Sequence, residues 1–175
     1  MYEINNRYLN IEIRLVYEYW LSKISGRAMP TRADIDPIEM RGWIAAVLLA
    51  EAVFDADGAP IDFYFRVSGS RVCERYGREL SRRRLTDVSL DHQNAEVLAN
   101  YQAVIETCRP IYSVNRYQDD DTILRSFETL LMPLSSDGSA CDMVLGVVMP
   151  LPRDYDAPEG IWIYDAGAAP DSDPV

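Results

Sequence analysis

AVLLAEAVFDADGAPIDFYFRVS, residues 46–68, is the stretch whose reading decides the fold. Residues 46–54 are an aliphatic run of strand length. Asp57-Gly58 lies inside the turn that follows and is a strong hairpin signal, because a two-residue hairpin turn needs backbone that glycine adopts freely. Residues 61–68 then alternate. Ile61, Phe63, Phe65 and Val67 fall on one face and Tyr64 and Arg66 on the other, as the twofold repeat of a strand requires. The two runs make an antiparallel hairpin. Arg66 on the interior side of such a hairpin needs a carboxylate or an anion beside it, because an unpaired buried charge is too costly.

Upstream of the hairpin, residues 9–25 read as a helix. Ile13, Val16, Trp20 and Ile24 recur at spacings of three and four. Leu15 and Tyr19 form a second apolar line, so the stripe is wide enough to meet two surfaces, this domain's sheet and a second copy of the helix. Gly26 and Pro30 end it. Residues 30–37, between two prolines, form an extended connector, and Asp36-Pro37 starts a short helix over 37–44.

Downstream, residues 70–90 form an arginine-rich, mainly short-helical stretch. Residues 93–107 form a helix with Val97, Tyr101, Val104 and Ile105 along one face. Strands follow at 111–117, 123–134 and 142–149. They are separated by the acidic tip Asp119-Asp120-Asp121 and the tight turn Asp137-Gly138. The last strand is nearly all apolar, which suits a central strand covered on both faces. The expectation is an α+β chain: a five-stranded antiparallel sheet with helices on one face plus an N-terminal helix. Its parts are an N-terminal helical extension (1–29), the domain proper (30–152) and an acidic tail (153–175). Within the tail, Ile161 to Tyr164 is apolar and should dock on the domain.

Composition excludes several classes. The 175 residues are 48% hydrophobic and carry a net charge of −11, enough apolar mass for a full core and a field that repels nucleic acid. Cys73, Cys108 and Cys141 are odd in number and far apart, which speaks against a disulfide framework or a zinc site and for a reducing compartment. No signal-like N-terminus and no membrane-length apolar run occur, so a cytoplasmic location is expected.

The order of elements is that of a PAS domain, and local words carry the same resemblance. They are Trp20; Pro30-x-Arg32-x-Asp34-Ile35-x-Pro37; Phe65-Arg66-Val67-x-Gly69-Ser70; Gly77-Arg78-x-Leu80; Arg109-Pro110; and Leu131-Met132-Pro133-Leu134-Ser135-x-Asp137-Gly138. Over about residues 9–150 the chain resembles a PAS-like domain family of bacterial proteins, long catalogued as a domain of unknown function. That family usually continues its Gly-x-x-Leu with Thr-Gly. Here Ser81-Arg82 stands instead, which leaves the backbone turn at that point open. The resemblance implies a PAS-like fold and a regulatory role, with no shared catalytic residues.

Candidate site residues follow from placement. Tyr64, Arg66, Tyr76, Tyr101 and Tyr112 fall on the elements that surround a PAS pocket. Tyrosine offers apolar area with one polar tip, which suits a small-molecule cavity. Between residues 66 and 84, seven arginines face only Glu74 and Glu79, either as an anion site or as a solvated face paired with carboxylates elsewhere. The single histidine, His92, sits at a helix start, a common solvated position, and Cys73 lacks the motif of a flavin photosensor. No catalytic residues, metal site or cofactor are expected. The reading is a stand-alone sensory or regulatory domain that binds a small molecule or a protein partner. Such a domain works with an unidentified signalling protein and as a homodimer through its N-terminal helix. The alternatives are a ligand-free interaction scaffold and a small acid/base enzyme on a cone-shaped α+β fold. A void of roughly 300 Å³ or more would favour sensing over scaffolding.

Overall fold

The computed structural model describes residues 10–88, 94–118, 124–151 and 160–163. His92, the acidic tip at 119–121 and most of the tail lie outside them. The helices are α1 (Ile11–Lys23), α2 (Ser70–Tyr76), α3 (Leu85–Val88) and α4 (Asn94–Thr107). The strands are β1 (Val47–Phe54), β2 (Pro60–Ser68), β3 (Ile111–Gln118), β4 (Leu124–Leu134), β5 (Met143–Pro150) and β6 (Gly160–Ile163). They form one antiparallel sheet in the order β2-β1-β5-β4-β3-β6. The five expected strands are all present. A sixth comes from the tail, where Ile161 pairs with Ser113 and Trp162 with Tyr112.

Both faces of the sheet are covered. On one face α1 inserts Ile13, Val16, Tyr17 and Trp20 against Leu130, Met132, Leu145 and Val147. On the other, α2 to α4 and their connections bring Val72, Leu80, Leu85, Tyr101 and Val104 onto Phe63, Phe65, Val144 and Val148. β5 alternates between the two cores, Met143, Leu145 and Val147 to α1 and Val144 and Val148 to the other helices, so an all-apolar strand is what its place demands.

The words of the sequence meet in space. The indole of Trp20 donates to the carbonyl of Pro133 at 2.9 Å in the core. The connector pairs with the end of β4: Arg32 N–H donates to Ser135 at 2.7 Å and Ser135 N–H to Pro30 at 3.1 Å. Gly69 is required where it stands. A Cβ there would lie 2.3 Å from the Ala45 carbonyl oxygen, far inside contact distance.

Two expectations need correcting. Residues 37–44 form consecutive turns and a short 3-10 segment at Ile44–Ala46, not a helix. Asp36 does cap the turn, accepting from Ile38 N–H at 2.8 Å. β2 does not alternate throughout, because its register with β1 shifts twice: Leu49 pairs with Val67 but Ala50 with Phe65, and Val53 pairs with Asp62 but Phe54 with Pro60. Arg66 and Ile61 are the extra residues of these bulges. Phe63 and Phe65 are buried as read, whereas Ile61 and Val67 are 46% and 41% exposed.

Candidate functional site

The bulge at Arg66 has a structural consequence. In a regular strand Val67 would share the face of Phe65. With one residue inserted it sits beside its partner Leu49, on the α1 side of the sheet, next to Arg66. α1 packs against β4 and β5, away from this corner of β1 and β2. The result is a groove of about 370 Å³. Its floor is Leu49 and Met143, one lip is Arg66 and Val67, and Arg32 and Ser136 reach in from the connector and from the turn after β4. Glu51 lies between, flanked by Tyr64 across one strand pair and Met143 across the other.

The polar groups of the groove differ in how they are engaged. Arg66 donates through Nε and Nη2 to one oxygen of Glu51, and its guanidinium lies 5.1 Å from the Tyr64 ring centre. Arg66 therefore has the carboxylate partner its position called for, but in an exposed pair, with the arginine side chain 52% accessible. Such a pair contributes little to stability. Ser136 donates its hydroxyl and backbone N–H to Asp142. Arg32 is half-buried. One of its nitrogens donates to Ile35 O at 3.1 Å, and it has no carboxylate partner among the described residues. Asp34, two residues away, is committed elsewhere. It accepts from the hydroxyl and N–H of Thr31 and from Arg27, all at 2.7 Å, and the Thr31 bonds foremost hold its carboxyl below the usual range.

The other candidate residues are divided between the two faces. Tyr101 is buried against Phe63 and Phe65, with ring centres 5.0 and 6.4 Å away, and burial raises its hydroxyl pKa well above that of an ordinary phenol. Tyr76 lies at the rim of the same core under Arg75, whose guanidinium also covers the Phe127 ring at 4.0 Å. Tyr112 is on the opposite face, its hydroxyl donating to the buried carboxylate of Glu128 at 3.0 Å. Only Tyr64 and Arg66 adjoin the groove. The arginine-rich stretch is dispersed likewise: Arg71 faces Glu12 at 3.7 Å, Arg84 faces Asp62 at 3.8 Å and Arg66 pairs with Glu51. Arg32 and Ser136 are groove residues the sequence reading did not single out. Both lie inside or beside words noted for the fold alone, Pro30-x-Arg32 and Leu134-Ser135-x-Asp137.

Cys141 is buried beside Cys108, and burial pushes its thiol above the usual range. All three cysteines are free. Among the described residues no cluster of three His, Cys, Asp or Glu side chains is placed to hold a metal, and no helix is long and apolar enough to cross a membrane.

No curated protein matches the sequence. Among solved structures the chain is similar to a LOV protein of Rhodobacter sphaeroides, at 14% identity and TM-score 0.46 over 69% of this chain and 70% of that one. It is similar to VqmA of Vibrio cholerae at 13% identity and TM-score 0.49, covering 66% of this chain and half of VqmA. It is also similar to the PAS domain of a Colwellia psychrerythraea protein, at 12% identity and TM-score 0.42 over 66% and 98%. A family model described as PAS domain matches residues 11–149, a span that runs from the first turn of α1 to the end of β5 and takes in both cores. By that match the chain belongs to the PAS domain family.

Proposed function

We propose that this PAS domain is a sensory or regulatory module, not an enzyme, and that it binds a small molecule in the groove between Arg32 and Arg66. The observation that carries the reading is the half-buried side chain of Arg32, without a carboxylate partner among the described residues, on the wall of an open groove of about 370 Å³. That volume lies within the range of small-molecule sites. Residues from three separate stretches, the connector, the β2 bulge and the turn after β4, converge on it. A binding role fits the groove better than catalysis. Its one lining acid, Glu51, is already engaged by two donors of Arg66. The second part of the proposal is self-association through α1, by which occupancy of the groove would reach a signalling partner.

The test is a thermal-shift screen of a metabolite collection against the wild type and Val67→Trp. Val67 is 41% exposed, so a larger ring there fills the groove without entering the core. A ligand at ten times its Kd stabilises by roughly 1.4 kcal/mol, about 3–6 °C for a chain of this length. We expect such shifts in the wild type and their loss in Val67→Trp. A screen with no shift in the wild type would favour the ligand-free scaffold, and shifts that survive Val67→Trp would move the site elsewhere.

A further inference from the structure

We infer that the groove takes an amphipathic monocarboxylic acid, its carboxylate on Arg32 and Arg66 and its apolar body across Leu49, Val67 and Met143. This rests on the reading of the groove as a ligand site and names the ligand's class. The polar end is decided by what each lining group has left to offer. Arg32 presents a planar fork of donors of which one is used, on Ile35 O. A guanidinium fork matches a carboxylate in two parallel bonds. Arg66 engages Glu51 through Nε and Nη2, which leaves Nη1 as a further donor. The hydroxyl and N–H of Ser136 are both given to Asp142, so recognition of an anion falls to the arginines. The neighbouring acids are already engaged: Asp34 on Thr31 and Arg27, Glu51 on Arg66, Asp142 on Ser136.

Charge sets the valence. Among the lining residues themselves two guanidinium groups face one carboxylate, an excess of one positive charge at the groove wall, with Asp142 behind Ser136, on a chain of net charge −11. A single negative charge is matched there. A multiply charged phosphate would meet the repulsion of the whole chain with only one local charge to offset it.

The apolar end is decided by the bulge. Val67 is an exposed apolar side chain set between Arg66 and Leu49 by one inserted residue, and Met143 continues the surface on β5, beside Glu51. The strip from β2 across β1 to β5 spans two strand spacings, roughly 10 Å, the length of a chain of about eight carbons. The ligand is thus a medium-chain or aryl-alkyl acid with one ionised carboxylate.

The experiment titrates octanoate, octanamide and acetate into the full chain by calorimetry and repeats the octanoate and octanamide titrations on Arg32→Gln and Arg66→Gln, with circular dichroism to verify that each variant is folded. Loss of one charge-assisted pair corresponds to roughly tenfold or more in affinity. Octanoate should bind at least about tenfold more tightly than either octanamide or acetate. That preference should vanish in Arg32→Gln and shrink in Arg66→Gln. If Arg32→Gln does not fold, Arg32→Lys keeps the charge and loses the fork, and octanoate affinity should still fall several-fold. Octanamide binding as tightly as octanoate, with both blocked by Val67→Trp, would overturn the carboxylate class and leave the groove a ligand site. No octanoate binding at millimolar concentration would overturn the class as well, and a hit from another class blocked by Val67→Trp would show that the site itself stands. An octanoate preference that survives both arginine substitutions would also overturn the inference. An N-acetylated tripeptide ending in free leucine that binds more tightly than octanoate would replace the small acid with a chain terminus.

Discussion

Arg82 stands where the family usually has glycine, and it adopts glycine's backbone: its φ is +67°. The left-handed conformation is forced by what the turn does. Arg82 N–H donates to Phe65 O at 2.8 Å, and Phe65 N–H donates to Arg83 O at 2.9 Å, so the turn lays a short strip of chain along the outer edge of β2. A side chain with a Cβ costs about 1–2 kcal/mol in that conformation. Glycine removes the cost but brings greater freedom to the unfolded chain, worth roughly 0.5–1 kcal/mol against it. Arg82→Gly should therefore stabilise the domain by about 0.5–1 kcal/mol, a rise of about 1–4 °C in Tm. Thermal unfolding followed by circular dichroism measures this. A lower Tm would mean that the Arg82 side chain makes contacts worth more than its strained backbone.

At the scale of elements, the seat of α1 on the sheet depends on one buried acidic side chain. Glu128 of β4 is fully buried beneath the start of the helix. It accepts from the backbone N–H of Asn10 at 2.9 Å and from the Asn10 side-chain amide at 2.6 Å, and from Tyr112 at 3.0 Å. Asn10 stands at the N-cap position of α1 with its side chain on Glu128 and not on the helix, so these bonds tie the helix start to the sheet. Tyr112→Phe removes one donor from a buried carboxylate and should cost roughly 1–3 kcal/mol. Urea unfolding of the variant checks it, and a change under 0.5 kcal/mol would show the bond to be dispensable. This arrangement also marks where the sequence was legible. The hydrophobic repeat of α1, the two-faced run of β5 and the hairpin signal at Asp57-Gly58 are local patterns, and they placed those elements. Element and residue type single out Tyr112 and Arg66, but the face each occupies and the partner each finds depend on register. No local pattern announces a bulge. Val67 was therefore read onto the wrong face, and the groove that the bulge creates could not be seen. The Asp36-Pro37 start alone points to a helix over 37–44, but Gly42 disfavours one, and turns form up to the 3-10 segment at Ile44. The tail's pairing with β3 depends on contacts across some fifty residues of sequence.

For the whole molecule, the question is which surface remains to be covered. At one end of the sheet the short strand β6 covers part of β3, and at the other the turn at Arg82 to Arg84 covers part of the edge strand β2. α1 has its second apolar line only half covered. Tyr19 is turned into the connector, its ring 5.3 Å from that of Trp43 and its hydroxyl accepting from Asp36 N–H at 2.8 Å. Leu15 remains 39% exposed, and Ile11, one turn before it, 54% exposed. Residues 160–163 of the tail are engaged with β3. Two copies related by a twofold axis would bury this line against itself, the commonest arrangement for a self-complementary patch. The rival patch is the hairpin end, where Phe54 and Ile61 are 41% and 46% exposed. Sedimentation at micromolar concentration separates the two. The full chain should run at about twice its 19.9 kDa mass, Leu15→Glu should run as a folded monomer, and Ile61→Glu should remain a dimer. A wild-type monomer would remove α1 as an association surface. A dimer that survives Leu15→Glu but is lost in Ile61→Glu would transfer that role to the hairpin end, and the route from the groove to a partner would then run through β1 and β2, the strands that carry Glu51, Arg66 and Val67.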